Sequence, residues 1–219
     1  MATALSSASR PPEAGGLPDR LVILLHGYGS DGADLVRSLA PVFARDLPHA
    51  EFIAPNAPEV SPNGSGYQWF PISSIDPRSM AAGLHRAASI LDDFVATALS
   101  QRNLGPDRLA LVGFSQGAIM ALDRALRRAD SARAIVIFSG MLADSTCRLA
   151  PDVRRPPVLL VHGTEDPVIR FGYMAETKVA LEAAGFPVET VERPRLGHGI
   201  DHEGAARAAR FLARHLAGP

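Results

Sequence analysis

The chain is poor in several things that would have pointed to particular chemistries. It holds one cysteine, Cys147, too few for an intramolecular disulfide or a cysteine-built zinc site. It lacks an excess of either charge: 22 Lys and Arg stand against 23 Asp and Glu, a net charge of −1, which argues against nucleic acid as the partner. Lysine is almost missing, with Lys178 alone. No run approaches the roughly 18 apolar residues of a membrane span, so no integral membrane segment is expected. The first ten residues have neither the apolar core nor the basic start of a signal peptide, and the expected location is cytoplasmic.

What is there is an apolar fraction of 47% in 219 residues, enough to bury a sizeable core. Residues 1–19, rich in Ser, Pro, Gly and Ala, read as a loose leader, and 20–219 as a single domain. From Arg20 onward, short apolar runs alternate with longer stretches of helical period. Strands are predicted at Arg20–Leu25, Ala50–Ala54, Arg108–Val112, Ala132–Phe138, Val158–Val161 and Val188–Glu192. Helices are predicted at about Gly32–Ala44, Pro77–Gln101, Gln116–Arg128, Phe171–Ala184 and Glu203–Leu216. In the second helix Met80, Leu84, Ala87, Ala88, Leu91, Phe94, Val95 and Leu99 form one stripe. Such alternation implies an α/β fold with a mostly parallel sheet and helices on both faces. Residues 55–76 form a long irregular stretch of a length that is often functional.

Gly113-Phe114-Ser115-Gln116-Gly117 fits G-x-S-x-G, and it lies between a predicted strand and a predicted helix, the context a nucleophile elbow requires. A serine hydroxyl is a weak nucleophile until a base takes its proton, so an acid and a histidine are sought further along the chain. Asp166 follows the strand Val158–Val161, at the sheet end where sites of open α/β folds collect. His198 sits between Gly197 and Gly199, after the last predicted strand. Ser115, Asp166 and His198 are therefore the candidate nucleophile, acid and base. Glu165 and Asp144 compete for the acid. His162 reads as a strand-end residue bound to backbone, His202 as part of the last helix's start, and His49, His85 and His215 as surface. A metal site of His26, Asp31 and Asp34 matches no recurring ligand spacing. The turn Leu25-His26-Gly27-Tyr28-Gly29 after the first strand is placed to supply an oxyanion donor, with the second from the residue after the nucleophile. The backbone N–H groups of Tyr28 and Gln116 are the candidates.

These motifs, together with LLHGYGSDG at 24–32, APNAP at 54–58, YQWFPI at 67–72, VGFSQGA at 112–118, VHGTEDPVI at 161–169 and LGHGI at 196–200, resemble the carboxylesterase, lysophospholipase and acyl-protein thioesterase group of small α/β-hydrolases. They keep that family's order from about residue 20 to the end. The resemblance implies an α/β-hydrolase fold with a minimal lid, a Ser115–Asp166–His198 triad, an oxyanion hole at Tyr28 and Gln116, no cofactor, and a dimer as is common in the family. It further implies that Trp69, Phe70 and Val168 line the acyl side of the pocket; core packing is the competing reading for the two aromatics. Ala118 stands where the family often has glycine, Leu196 where it often has methionine, and Tyr28 where the thioesterase branch has leucine. The expected activity is hydrolysis of short- to medium-chain carboxylic esters, a small-molecule substrate class, through an acyl-serine. A thioesterase or lysophospholipase with the same triad is the alternative, and a non-catalytic small-molecule binder the reading from a different class.

Overall fold

A computed structural model describes residues 5–62, 64–72, 77–143, 149 and 152–216, of 77–82 the backbone only. In chain order the elements are β1 (Ser7–Arg10), β2 (Arg20–Leu25), α1 (Gly32–Phe43), β3 (Ala50–Pro55), β4 (Glu59–Val60), β5 (Tyr67–Gln68), α2 (Pro77–Ser100), β6 (Leu109–Phe114), α3 (Gln116–Arg127), β7 (Ala134–Phe138), β8 (Val158–Gly163), α4 (Gly172–Ala183), β9 (Val188–Arg193) and α5 (His202–Leu216). Seven strands form one sheet in the order β1-β3-β2-β6-β7-β8-β9, parallel throughout except for β1. This is the α/β-hydrolase architecture read from the sequence, with each predicted strand and helix in place to within a few residues.

The unbroken apolar runs have a simple cause: both faces of the sheet are covered. Along β2, Leu21, Ile23 and Leu25 pack in the core beneath α2, α3 and α4, while Val22 and Leu24 pack in a second core beneath α1 and α5. The α2 stripe buries Leu84, Ala87, Ala88, Leu91, Val95 and Leu99 in the first of these, while the side chain of Met80 lies outside the described residues. Asp31 caps α1, its carboxylate accepting from the Asp34 N–H.

The expectation of a loose leader needs correcting. Ser7–Arg10 pairs antiparallel with β3, in the register Ser7 to Pro55 and Arg10 to Phe52. Backbone hydrogen bonds hold it, so its composition gave no apolar signal. The irregular stretch after β3 contains a small hairpin, β4 with β5, which a bridge between Ser30 and Tyr67 ties to the turn after β2.

Candidate active site

The turns that follow β2, β6, β8 and β9 meet at the C-terminal edge of the sheet, and each brings one element of the site. Ser115 lies between the end of β6 and the start of α3, with φ 53° and ψ −117°. A side chain in that region costs about 1–3 kcal/mol, which the surrounding structure must offset. Here the surroundings are backbone at close range. A Cβ on Gly113 would stand 2.4 Å from the Gly117 carbonyl oxygen, and one on Gly117 would stand 2.1 Å from that of Leu25. Only glycine fits at either place, so the two motif glycines let α3 start directly against the ends of β6 and β2.

His198 faces Ser115. Its Nε2 is 2.9 Å from Ser115 Oγ, and its Nδ1 is 2.8 Å from Asp166 Oδ2. The imidazole also lies on the Phe114 ring, with centroids 4.9 Å apart. A proton on Nδ1, donated to the carboxylate, leaves Nε2 free to accept from the serine hydroxyl. The other Asp166 oxygen, Oδ1, accepts from the N–H groups of Val168 and Ile169, both at 2.9 Å. Burial alone would raise the pKa of this carboxyl. The hydrogen bonds from His198, Val168 and Ile169 outweigh it and hold the group below the ordinary aspartate value, so it is ionised at neutral pH.

The sequence left three acids and several histidines in competition. The structure brings Asp166 to His198 and leaves the neighbouring Glu165 exposed. Asp144 lies outside the described residues, as does Cys147. His162 is buried and donates from Nε2 to the Ile169 carbonyl at 2.8 Å, with the same nitrogen 3.3 Å from Asp166 Oδ2. His202, His49 and His85 are exposed, while His215 is half-buried against Phe211.

Gly27 lies against the nucleophile: a Cβ there would be 3.2 Å from Ser115 Cβ. Among the described residues, the N–H groups of Tyr28 and Gln116 have no hydrogen-bond acceptor. The second opens α3, where the helix dipole favours negative charge.

Trp69 and Phe70 are 1% and 0% exposed and pack in the core, the competing reading for the pair. An aromatic pair in a Pro/Gly-rich loop carries no periodicity, and sequence reasoning had no means of telling a pocket wall from core packing. Val168 is 45% exposed and does offer apolar surface beside Asp166. A cavity of about 510 Å³ opens elsewhere, between α2 and the β1–β3 margin, and none of the candidate site residues lines it.

His26 is fully buried, and both ring nitrogens are engaged. Nδ1–H donates to the Gly27 carbonyl at 2.7 Å, and Nε2 accepts from the Ala57 N–H at 2.9 Å. Neither is left for a metal. Burial lowers its pKa, against smaller opposing effects of the Gly27 hydrogen bond and of Asp31 and Asp34. The unfolded chain therefore binds a proton, below about pH 6.5, that the folded chain refuses. Stability is complete above that pH and falls as the solution is acidified, at up to about 1.4 kcal/mol per pH unit from this group. Urea unfolding between pH 7.5 and pH 5 should show that slope, reduced in His26→Gln; an equal slope in both proteins removes His26 as its source.

Comparison with known proteins places the chain in a family. A family model described as phospholipase/carboxylesterase matches residues 13–216. An Escherichia coli protein named esterase YpfH is 32% identical over 202 residues, covering 90% of this chain and 82% of that one. A Dictyostelium discoideum protein named acyl-protein thioesterase 1 homolog 1 is 26% identical, covering 89% and 90%. Among solved structures, one titled esterase PE8 superposes with a TM-score of 0.90 at 36% identity, covering 97% of this chain and 100% of its own. The Bacillus cereus carboxylesterase superposes with a TM-score of 0.81 at 21% identity, covering 96% and 94%, a likeness of fold.

Proposed function

Because the chain belongs to the phospholipase/carboxylesterase family and is a serine hydrolase of carboxylic esters, we propose that Ser115 is its nucleophile, His198 its general base and Asp166 the acid that orients the base. The observation that carries this reading is the unbroken hydrogen-bond chain from Ser115 Oγ through both imidazole nitrogens to a buried, ionised carboxylate. Ser115 Oγ attacks the ester carbonyl as its proton passes to His198 Nε2. The carbonyl π electrons move to the oxygen, which the Tyr28 and Gln116 N–H groups hold. The intermediate collapses, the C–O bond to the alcohol breaks, and Nε2–H protonates the departing oxygen. Water then attacks the acyl-serine by the same steps, giving the acid and free Ser115.

The substrate in this proposal is an ester of a short to medium acyl chain, since the apolar surface beside the triad is the exposed Val168 rather than an enclosed aromatic slot. Cytoplasmic residence and a homodimer belong to the same proposal, checked by cell fractionation and by sedimentation. A fluorophosphonate probe should label the protein once, at Ser115 by peptide mass. In a kinetic screen, kcat/KM should be higher for p-nitrophenyl acetate, butyrate and octanoate than for palmitoyl thioester or lysophospholipid. A protein that takes no label is a binder rather than an enzyme.

A further inference from the structure

The segment Tyr67–Phe70 runs between the turn after β2 and the start of α3, and it is bonded to both. Toward the turn, Trp69 Nε1–H donates to the His26 carbonyl at 2.9 Å. Gly29 N–H donates to the Tyr67 carbonyl at 2.9 Å, and Tyr67 N–H to the Ser30 carbonyl at 2.8 Å. Toward α3, Gln116 Oε1 accepts from Trp69 N–H at 2.9 Å, and Gln116 Nε2–H donates to the Phe70 carbonyl at 2.7 Å. Gln116 is 1% exposed, like Trp69.

The anchors bracket Tyr28: one bond grips the chain two residues before it and another one residue after. The peptide plane that carries the Tyr28 N–H is held at its other end as well, because the Gly27 carbonyl accepts from His26 Nδ1–H. On the far side, the residue whose N–H opens α3 is the one whose side chain grips Trp69 and Phe70. We propose that Trp69 and the Gln116 side chain form a strut that sets the separation of the Tyr28 and Gln116 N–H groups, and so are positioning residues for the oxyanion. This rests on the assignment of those two N–H groups above.

The physical case is one of tolerance. The charge on the carbonyl oxygen develops only in the transition state, so a donor displaced by a fraction of an ångström weakens that state more than the bound ester. Each bond in the strut is buried, and losing one leaves a carbonyl or N–H that water reaches only if the segment moves. Movement of Tyr67–Phe70 carries the turn after β2 with it, because Trp69 is bonded to both sides and Tyr67 to the turn as well.

Two variants cut the strut at different bonds. Trp69→Phe removes the indole N–H and keeps the ring packing, while Gln116→Met removes both side-chain bonds and keeps the backbone N–H. In each, kcat for p-nitrophenyl butyrate should fall by about ten- to a hundredfold. KM should stay within about twofold. Affinity for a trifluoromethyl ketone should fall by the same factor as kcat/KM, and fluorophosphonate should still label Ser115. In Gln116→Glu, the ratio of its kcat to that of the parent should rise as pH falls, because a protonated carboxyl regains the donor to Phe70. Parent-like kcat and inhibitor affinity in folded Trp69→Phe and Gln116→Met would overturn the strut. So would a rise in KM alone that grows with acyl length, which would make Trp69 a pocket wall. A parent protein that takes no label sinks the nucleophile assignment itself, and the strut with it.

Discussion

Ser115→Ala should hydrolyse p-nitrophenyl butyrate about 10⁶-fold more slowly than the parent. The change removes the atom that forms the acyl bond and leaves His198 with no proton to accept. What survives is the N–H pair and the bound ester, which help attack by water only modestly. The fold should not suffer. Alanine at φ 53° is held in the same uncomfortable backbone region as serine, so the urea midpoint should move little. Ser115→Gly should be as inactive but more stable, by about 1 kcal/mol, because glycine enters that region without a Cβ clash. Paired kinetics and urea unfolding on the two variants measure both effects. A Ser115→Ala rate above about one per cent of the parent, free of contaminating hydrolase, would mean that another group carries the acyl transfer.

Asp166→Asn should lower kcat by about 10⁴, the size of the corresponding change in a serine protease. The direction follows from which donors face which oxygen. Two backbone N–H groups, from Val168 and Ile169, point at Oδ1, so the single oxygen of asparagine settles there. Its NH₂ then faces His198 Nδ1, where the carboxylate had accepted. The imidazole must accept at Nδ1 and carry its proton on Nε2, aimed at Ser115. A base already protonated on the side of the nucleophile cannot take the serine proton. Glu165→Gln should stay within about twofold of the parent, since that side chain is exposed and takes no part in the hydrogen-bond chain. Steady-state kinetics on both variants, each with a native circular dichroism spectrum, decides between the two acids. A dead Glu165→Gln beside an active Asp166→Asn would reassign the triad.

Much of this was legible before the structure, and the reasons differ by residue. The strands of the sheet centre announce themselves because burial on both faces demands an unbroken apolar run, as in Leu21-Val22-Ile23-Leu24-Leu25. The proposed nucleophile is legible because the turn that carries it needs glycine where backbones approach, at Gly113 and Gly117. β1 was not legible: Ser-Ala-Ser-Arg has no apolar face, and what holds it is pairing that any sequence can make. The burial of Trp69 and the bonds of the Gln116 side chain were not legible for a related reason. Whether an indole lines a pocket or braces a backbone depends on where His26, Phe70 and α3 come together, and no local pattern of residues encodes that meeting.

β1 also matters to how the molecule behaves among its own copies. The family match begins at residue 13, after this strand has ended. Trimmed to the matched stretch, the protein would present β3 as its outermost rail, with Phe52, Ile53 and Ala54 in a stretch rich in strand-forming residues and a row of unpaired backbone groups. Such a margin is a template for strand addition from a neighbouring molecule. The four residues of β1 occupy that margin, so the outermost rail of the sheet is Ser-Ala-Ser-Arg in place of Phe52, Ile53 and Ala54.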